Sequence, residues 1–144
     1  MALTVMYGMD LGIKLERITE LSRLVQEITG IEVQPYKPFV GRSVFLETPD
    51  THIEGILRAR IKGMKTRDFI DPGIIGQKTT LLFGPSALGG KSIELKAQEM
   101  GLAFDGNRVQ AVIDAMRTRL HTVDALDEDE VGMIIREIFE MKGE

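Results

Sequence analysis

Four of the chain's five prolines, Pro35, Pro38, Pro49 and Pro72, fall between Val33 and Ile75. Proline fixes φ, removes an amide donor and disfavours helix at the residue before it. This stretch therefore cannot be one long helix or a central strand. It has room for a single short helix. Thr51 with Glu54 three residues later fits a capping box, and Ile53, Ile56 and Leu57 give an apolar side, which predicts a helix running to about Lys62. An irregular run of this length inside a compact domain is usually functional, or rests on a surface that is not its own.

On both sides of this middle the pattern is helical. Leu15, Ile18, Leu21, Leu24, Val25 and Ile28 recur every three to four residues, predicting an amphipathic helix over Ile13–Thr29, with Gly30 placed as its C-terminal cap. Before it, Gly8, Asp10 and Gly12 break the period, and Ala2–Met6 reads as the frayed end of an earlier helix. Asp71-Pro72-Gly73 marks a turn, and Thr79–Phe83 is the one clear strand. Gly84 to Gly90 is a glycine-bearing turn opening onto a helix over about Lys91–Met100. Two strong helices follow. One, about Asn107–Leu120, carries Val109, Val112, Ile113, Met116 and Leu120 on a stripe. The other begins at Asp127, whose carboxylate can cap the amide of Glu130, and buries Val131, Ile134, Ile135, Ile138 and Phe139. The expectation is a mainly α fold with one or two short strands, in three segments. Residues 1–30 form an entry segment and helix, 31–78 an irregular subdomain bearing the short helix, and 79–144 a short strand with a three-helix cluster.

Composition narrows the function classes. A net charge of −4 gives no electrostatic reason to expect nucleic acid or an anionic membrane as partner. Cysteine is absent, so no disulfide scaffold or thiolate metal site can form. No apolar run approaches the roughly 20 residues that span a bilayer. Met1–Tyr7 has no basic leader character, which makes a cytoplasmic location the default expectation. His52 and His121 are the only histidines, far apart and without carboxylates at ligand spacing, so no metal or other cofactor is expected on this chain.

Two places could carry chemistry. Gly84-Pro-Ser-Ala-Leu-Gly89-Gly90-Lys91-Ser92, between a strand and a helix, has the context of a phosphate-binding loop. The Walker spacing, however, needs glycine where Pro85 stands, and proline has no amide to offer. A structural glycine turn is the favoured reading. His52 lies in the first turn of the short helix with Gly55 and Ala59 on its side, small residues that let another surface approach. An unperturbed imidazole titrates near pH ~6.5, suited to general acid or base work. On chemistry alone, a lone histidine at a helix start is more often a surface or capping residue, since no carboxylate partner can be placed beside it from the spacing. His121 sits at a helix C-terminus, where the macrodipole favours a cation, and Asp127–Glu130 carry negative charge at a helix N-terminus. Arg58, Arg60, Lys62, Lys65 and Arg67 form a basic cluster, more often a solvated face than an anion site. The eight methionines are scattered and read as core filler.

Several stretches, taken in order, resemble the region after the catalytic barrel in the 2-isopropylmalate and homocitrate synthase family. They are Tyr7-Gly-Met-Asp-Leu-Gly12-Ile with the helix after it, Gly30-Ile-Glu-Val33 with Lys37-Pro38-Phe-Val-Gly41, and Val44-Phe45 with Thr51-His52-Ile-Glu-Gly55-Ile-Leu57. Asp71-Pro72 with Gly76, and Leu82-Phe83-Gly84 with Gly89, complete the series. The family's glutamate-serine-glycine before the histidine is represented by Glu47-Thr-Pro-Asp50-Thr51, and its glutamine-aspartate after it by Ile53-Glu54. The resemblance implies one part of an acyl-CoA-dependent 2-oxo-acid condensing synthase of the homocitrate, 2-isopropylmalate or citrate type, inactive alone. The divalent metal and acetyl-CoA would be held by the barrel. It implies a catalytic barrel domain or chain as partner, and a homodimer or higher homo-oligomer. His52 takes the position of the histidine lent to the active site, the neighbouring subunit's included, for proton transfer, with Glu54 as a secondary candidate. The lack of a feedback domain after the last helix points toward a homocitrate or citrate type. Two other readings stay open: a non-catalytic helical interaction or regulatory module, and a nucleotide binder using Gly84–Ser92.

Overall fold

The structure is a computed structural model that describes residues 1–64, 70–103 and 105–140. Its helices are α1 (Ala2–Val5), α2 (Ile18–Thr29), α3 (Asp50–Ile61), α4 (Gly90–Glu99), α5 (Gly106–Arg119) and α6 (Glu128–Glu140). Three short strands, β1 (Leu46–Glu47), β2 (Thr80–Phe83) and β3 (Leu126–Asp127), form one sheet in the order β1-β2-β3. The fold is thus mainly α with few short strands, as expected. Among the described residues no helix is long and apolar enough to cross a membrane. The chain divides into two compact units: Met1–Leu46 with Asp68–Thr79, and Glu47–Arg67 with Thr80–Glu144.

The first unit is organised by turns. A single 3-10 turn, Leu15–Arg17, leads into α2, which ends on Gly30 in the left-handed region (φ 68°). Leu15 and Thr19 are buried, and the Thr19 hydroxyl donates to Ile75 O at 2.6 Å. Ile75 lies in a second 3-10 turn, Pro72–Ile75, capped by the Asp71 carboxylate, which accepts from Gly73 N at 2.9 Å. The two turns meet so closely at Gly76 (φ 72°) that a Cβ there would overlap Glu16 O. The proline-bearing loop closes on itself. Gly41 N donates to Lys37 O at 2.8 Å and Ser43 N to Pro35 O at 2.9 Å, and a side chain on Gly41 would overlap Pro35 O. Phe39 occupies the left-handed region (φ 68°), and its carbonyl accepts from Gln77 Nε2 at 2.6 Å.

α2 itself runs against the expectation its sequence raises. The amphipathic helix is there, but Leu21, Leu24, Val25 and Ile28 are exposed, Ile28 to 75%. The face turned inward holds Leu15, Thr19, Ser22 and Gln26, roughly a third of a turn round the helix from the apolar stripe. Leu3, Val5, Met6, Tyr7, Met9, Leu11 and Ile13 are exposed as well.

The second unit carries the hydrophobic core. Ile53, Ile56 and Leu57 of α3, Leu81 and Phe83 of β2, and Ile93 of α4 pack with Val112 and Met116 of α5 and Val131 and Ile135 of α6. β2 alternates half-buried and buried residues, the period of a strand with one face on a core, and pairs antiparallel with β3 through Leu82–Asp127 and Phe83–Leu126. β1 and β3 are two residues each, too short to leave a periodic signal. α5 is capped by Asp105, which accepts from Asn107 N and Arg108 N. At α6 the predicted cap forms and is reciprocal: Asp127 Oδ1 accepts from Glu130 N at 2.8 Å, and Glu130 Oε2 accepts from Asp127 N at 3.0 Å. The capping box read at Thr51 does not form. α3 starts one residue earlier at Asp50, with Pro49 as its N-cap and no side-chain cap.

Candidate functional site

His52 stands on the first turn of α3, half-buried at the edge of the face that carries Ile53, Ile56 and Leu57. Pro49, extended at φ −69° and ψ 134°, turns the chain from β1 into the helix. That turn folds Glu47 back over the helix start, so its Oε2 lies 2.8 Å from His52 Nδ1. The two side chains are 20% and 36% exposed, so the pair is shielded and still reachable. With the ring neutral, Nδ1–H donates and the carboxylate accepts. An imidazole held this way exchanges protons through Nε2. Beside it, a Cβ on Gly55 would meet nothing within 4 Å, which leaves this flank of the helix open to an approaching surface.

Glu47 is the functional candidate that sequence reasoning missed. Helical periodicity brings together residues three or four apart, whereas Glu47 is five before His52 and outside the helix. The available signal was Pro49, which forces a sharp turn between the two. Glu54, the secondary candidate, is recorded with a different partner. It accepts from Arg58 Nη2 at 3.4 Å along the helix, and residues two apart in a helix do not share a face with each other.

The glycine-rich segment is used by the fold. Gly89 is the N-cap of α4, and the Asp50 carboxylate packs so tightly on it that a Cβ there would overlap Asp50 Oδ2. An acidic side chain therefore stands at the helix N-terminus where a phosphate would have to bind. Ser92 Oγ donates to Gly89 O at 2.8 Å, and Lys91 Nζ donates to Glu94 Oε2 at 2.8 Å. This geometry argues against a nucleotide loop.

Two members of the basic cluster are paired with carboxylates. Arg58 pairs with Glu54, and Arg60 Nη1 lies 2.6 Å from Glu128 Oε1. Lys62 is exposed, while Lys65 and Arg67 lie outside the described residues. Lys96, buried on α4, donates to Glu128 at 2.7 Å and to Glu99 at 2.6 Å. Burial by itself would lower the Lys96 pKa, but the hydrogen bonds and charges of Glu128 and Glu99 outweigh it and the net direction is upward. Burial likewise pushes Glu128 up, and Lys96 and Arg60 turn its net direction downward. His121 is exposed just past the end of α5. Among the described residues no group of three or more histidines and carboxylates could hold a metal ion.

No protein-family model matches the chain. Individual proteins do. The chain is 32% identical over 117 residues to homocitrate synthase AksA of Methanocaldococcus jannaschii, covering 81% of this chain and 28% of that protein. It is 32% identical over 148 residues to the 2-isopropylmalate synthase of the same organism, covering 94% of this chain and 28% of that protein. It is 26% identical over 137 residues to its (R)-citramalate synthase CimA, covering 95% of this chain and 27% of that protein. The chain thus spans little more than a quarter of the length of these curated relatives. Over most of its own length, this chain matches one region of the citramalate, homocitrate and 2-isopropylmalate synthase family.

Proposed function

We propose that this chain is the part of an acyl-CoA-dependent 2-oxo-acid condensing synthase that follows the catalytic barrel, and that it presents His52 for proton transfer in an active site completed by that barrel. The observation that carries the reading is the Glu47–His52 pair, a partly shielded imidazole whose Nδ1 is held by Glu47, beside the open flank at Gly55 of α3. It occupies the position at which the resemblance places the histidine lent to the active site. The exposed apolar stripe of α2 supports the same view, because a stripe turned away from its own unit is what a segment that covers another domain or subunit would carry. Comparable similarity to three synthases with different products also fits a region that does not select the 2-oxo acid. On this reading the metal and acetyl-CoA sites belong to the barrel, and the assembly is a homodimer or larger.

The test is complementation. The chain is mixed with a purified barrel from a family member, and CoA release from acetyl-CoA is followed with a panel of 2-oxo acids. The expected result is no turnover by the chain alone, turnover in the mixture, and a loss of about 10²- to 10⁴-fold in kcat for His52→Ala, the range ordinary for general acid–base groups. Turnover indifferent to His52→Ala would remove the histidine from the chemistry. A mixture that forms a complex and remains inert with every 2-oxo acid would favour the interaction or regulatory module, which the α2 stripe serves equally well.

A further inference from the structure

We propose that Glu47 is the positioning residue of His52. By accepting from Nδ1–H it fixes the ring in the Nδ1–H tautomer and so assigns Nε2 as the nitrogen that takes and returns the proton. The catalytic consequence rests on the function proposed above, whereas the tautomer rests on this chain's geometry alone. The Nδ1–Oε2 separation of 2.8 Å is that of a strong hydrogen bond, and a carboxylate can only accept. Both partners are anchored. Glu47 belongs to β1, and His52 is followed on α3 by the fully buried Ile53. Between them stands Pro49, whose ring removes one of the backbone rotations through which the pair could drift apart. The orientation of the imidazole is therefore set by the fold before any substrate arrives, as preorganised proton transfer requires.

The wild-type chain, labelled with ¹⁵N, gives the direct test through long-range ¹H–¹⁵N correlation of its two histidines at a pH where both rings are neutral. His52 is expected in the Nδ1–H form, and the exposed His121 in the Nε2–H form that free imidazoles favour. Glu47→Gln retains an accepting oxygen and should keep the His52 tautomer, whereas Glu47→Ala should release it to the pattern of His121. Amide spectra that overlay outside β1 and the first turn of α3 establish that the variants stay folded. A wild-type His52 in the Nε2–H form overturns the assignment without recourse to any variant, and so does a tautomer that Glu47→Ala leaves untouched. In the complemented enzyme, Glu47→Ala should lower kcat by about tenfold or more at unchanged KM, with Glu47→Gln recovering part of it. If the tautomer responds as described while turnover ignores His52→Ala, the proposed function fails and the positioning role stands. If His52 matters for turnover and its tautomer ignores Glu47, the positioning role fails alone.

Discussion

Position 89 shows how closely single residues are constrained. Gly89 is extended, not left-handed, so its requirement for glycine comes from crowding by Asp50. Asp50 Oδ1 is buried without a hydrogen-bond partner, a cost offset by the positive end of α4 against which it packs. Gly89→Ala must displace that carboxylate, and a loss of about 1–3 kcal/mol is expected from overpacking. Urea unfolding checks it, and the double variant Gly89→Ala with Asp50→Gly should recover a good part of the loss, because the residues are in contact and their effects couple. Equal losses in the single and double variants would mean the crowding is relieved elsewhere. The sequence shows the glycines here but not their reason. A Gly-Gly-Lys-Ser string opening a helix suggests phosphate, and only the approach of Asp50, some forty positions away in sequence, reveals a carboxylate in that place. Glu47 is hidden from sequence reading for a related cause. The histidine is legible, and its partner is brought back by a proline turn that carries no periodic signal.

Among the elements, α2 separates what periodicity can predict from what it cannot. Spacing predicts a helix over Ile13–Thr29 with one apolar face and Gly30 at its end; the α-helix starts later, at Ile18, after the 3-10 turn Leu15–Arg17. Spacing does not say which structure the apolar face meets. Thr19 and Leu15 dock the helix on its own unit, and Gly76 admits the close approach of Glu16 by having no Cβ, while Leu24 and Ile28 point outward. Stripes of this kind drive association in water, at roughly 25 cal/mol per Å² of apolar surface covered. The isolated chain is therefore expected to self-associate with rising concentration. Leu24→Lys with Ile28→Lys should keep it monomeric in sedimentation velocity, at an unchanged thermal midpoint because neither residue supports its own unit. A pair of lysines that leaves association intact, or that unfolds the chain, would show that the stripe is not the contact. By contrast α5 and α6 are largely legible, although Leu120, Ile134 and Ile138 of the predicted stripes are only half-buried. Their stripes of Val109, Val112, Ile113 and Met116, and of Val131, Ile135 and Phe139, are buried as the spacing predicts, since each helix finds its partner within the same unit.

On the scale of the whole molecule, the second unit combines its apolar core with one ionic cluster that no local pattern announces. Arg60 of α3, Lys96 and Glu99 of α4, and Glu128 of α6 come together from three helices, each cation within 3.6 Å of both carboxylates. Its linkage to pH has a definite sign. Glu128 is held below its ordinary value of 4.5, so its contribution to stability is present above that value and is lost as pH falls through the lowered one. Lys96 is raised above 10.5, so its contribution is present below 10.5 and is lost as pH climbs through the raised value. Stability from this cluster is thus level across neutral pH and falls at both extremes. Glu128→Gln removes the charge that both cations share, and a loss of about 2 kcal/mol is expected at neutral pH, the scale of hydrogen bonds to charged groups in a partly shielded place. The methyl resonance of Met116, fully buried in this unit, reports its unfolding in urea separately from the first unit. As pH falls from neutral to well below 4.5, the wild type should lose more stability than Glu128→Gln, whose substituted side chain has no proton left to take up. An acid loss of equal size in both proteins would assign the effect to other carboxylates and leave the cluster a surface ornament of the core.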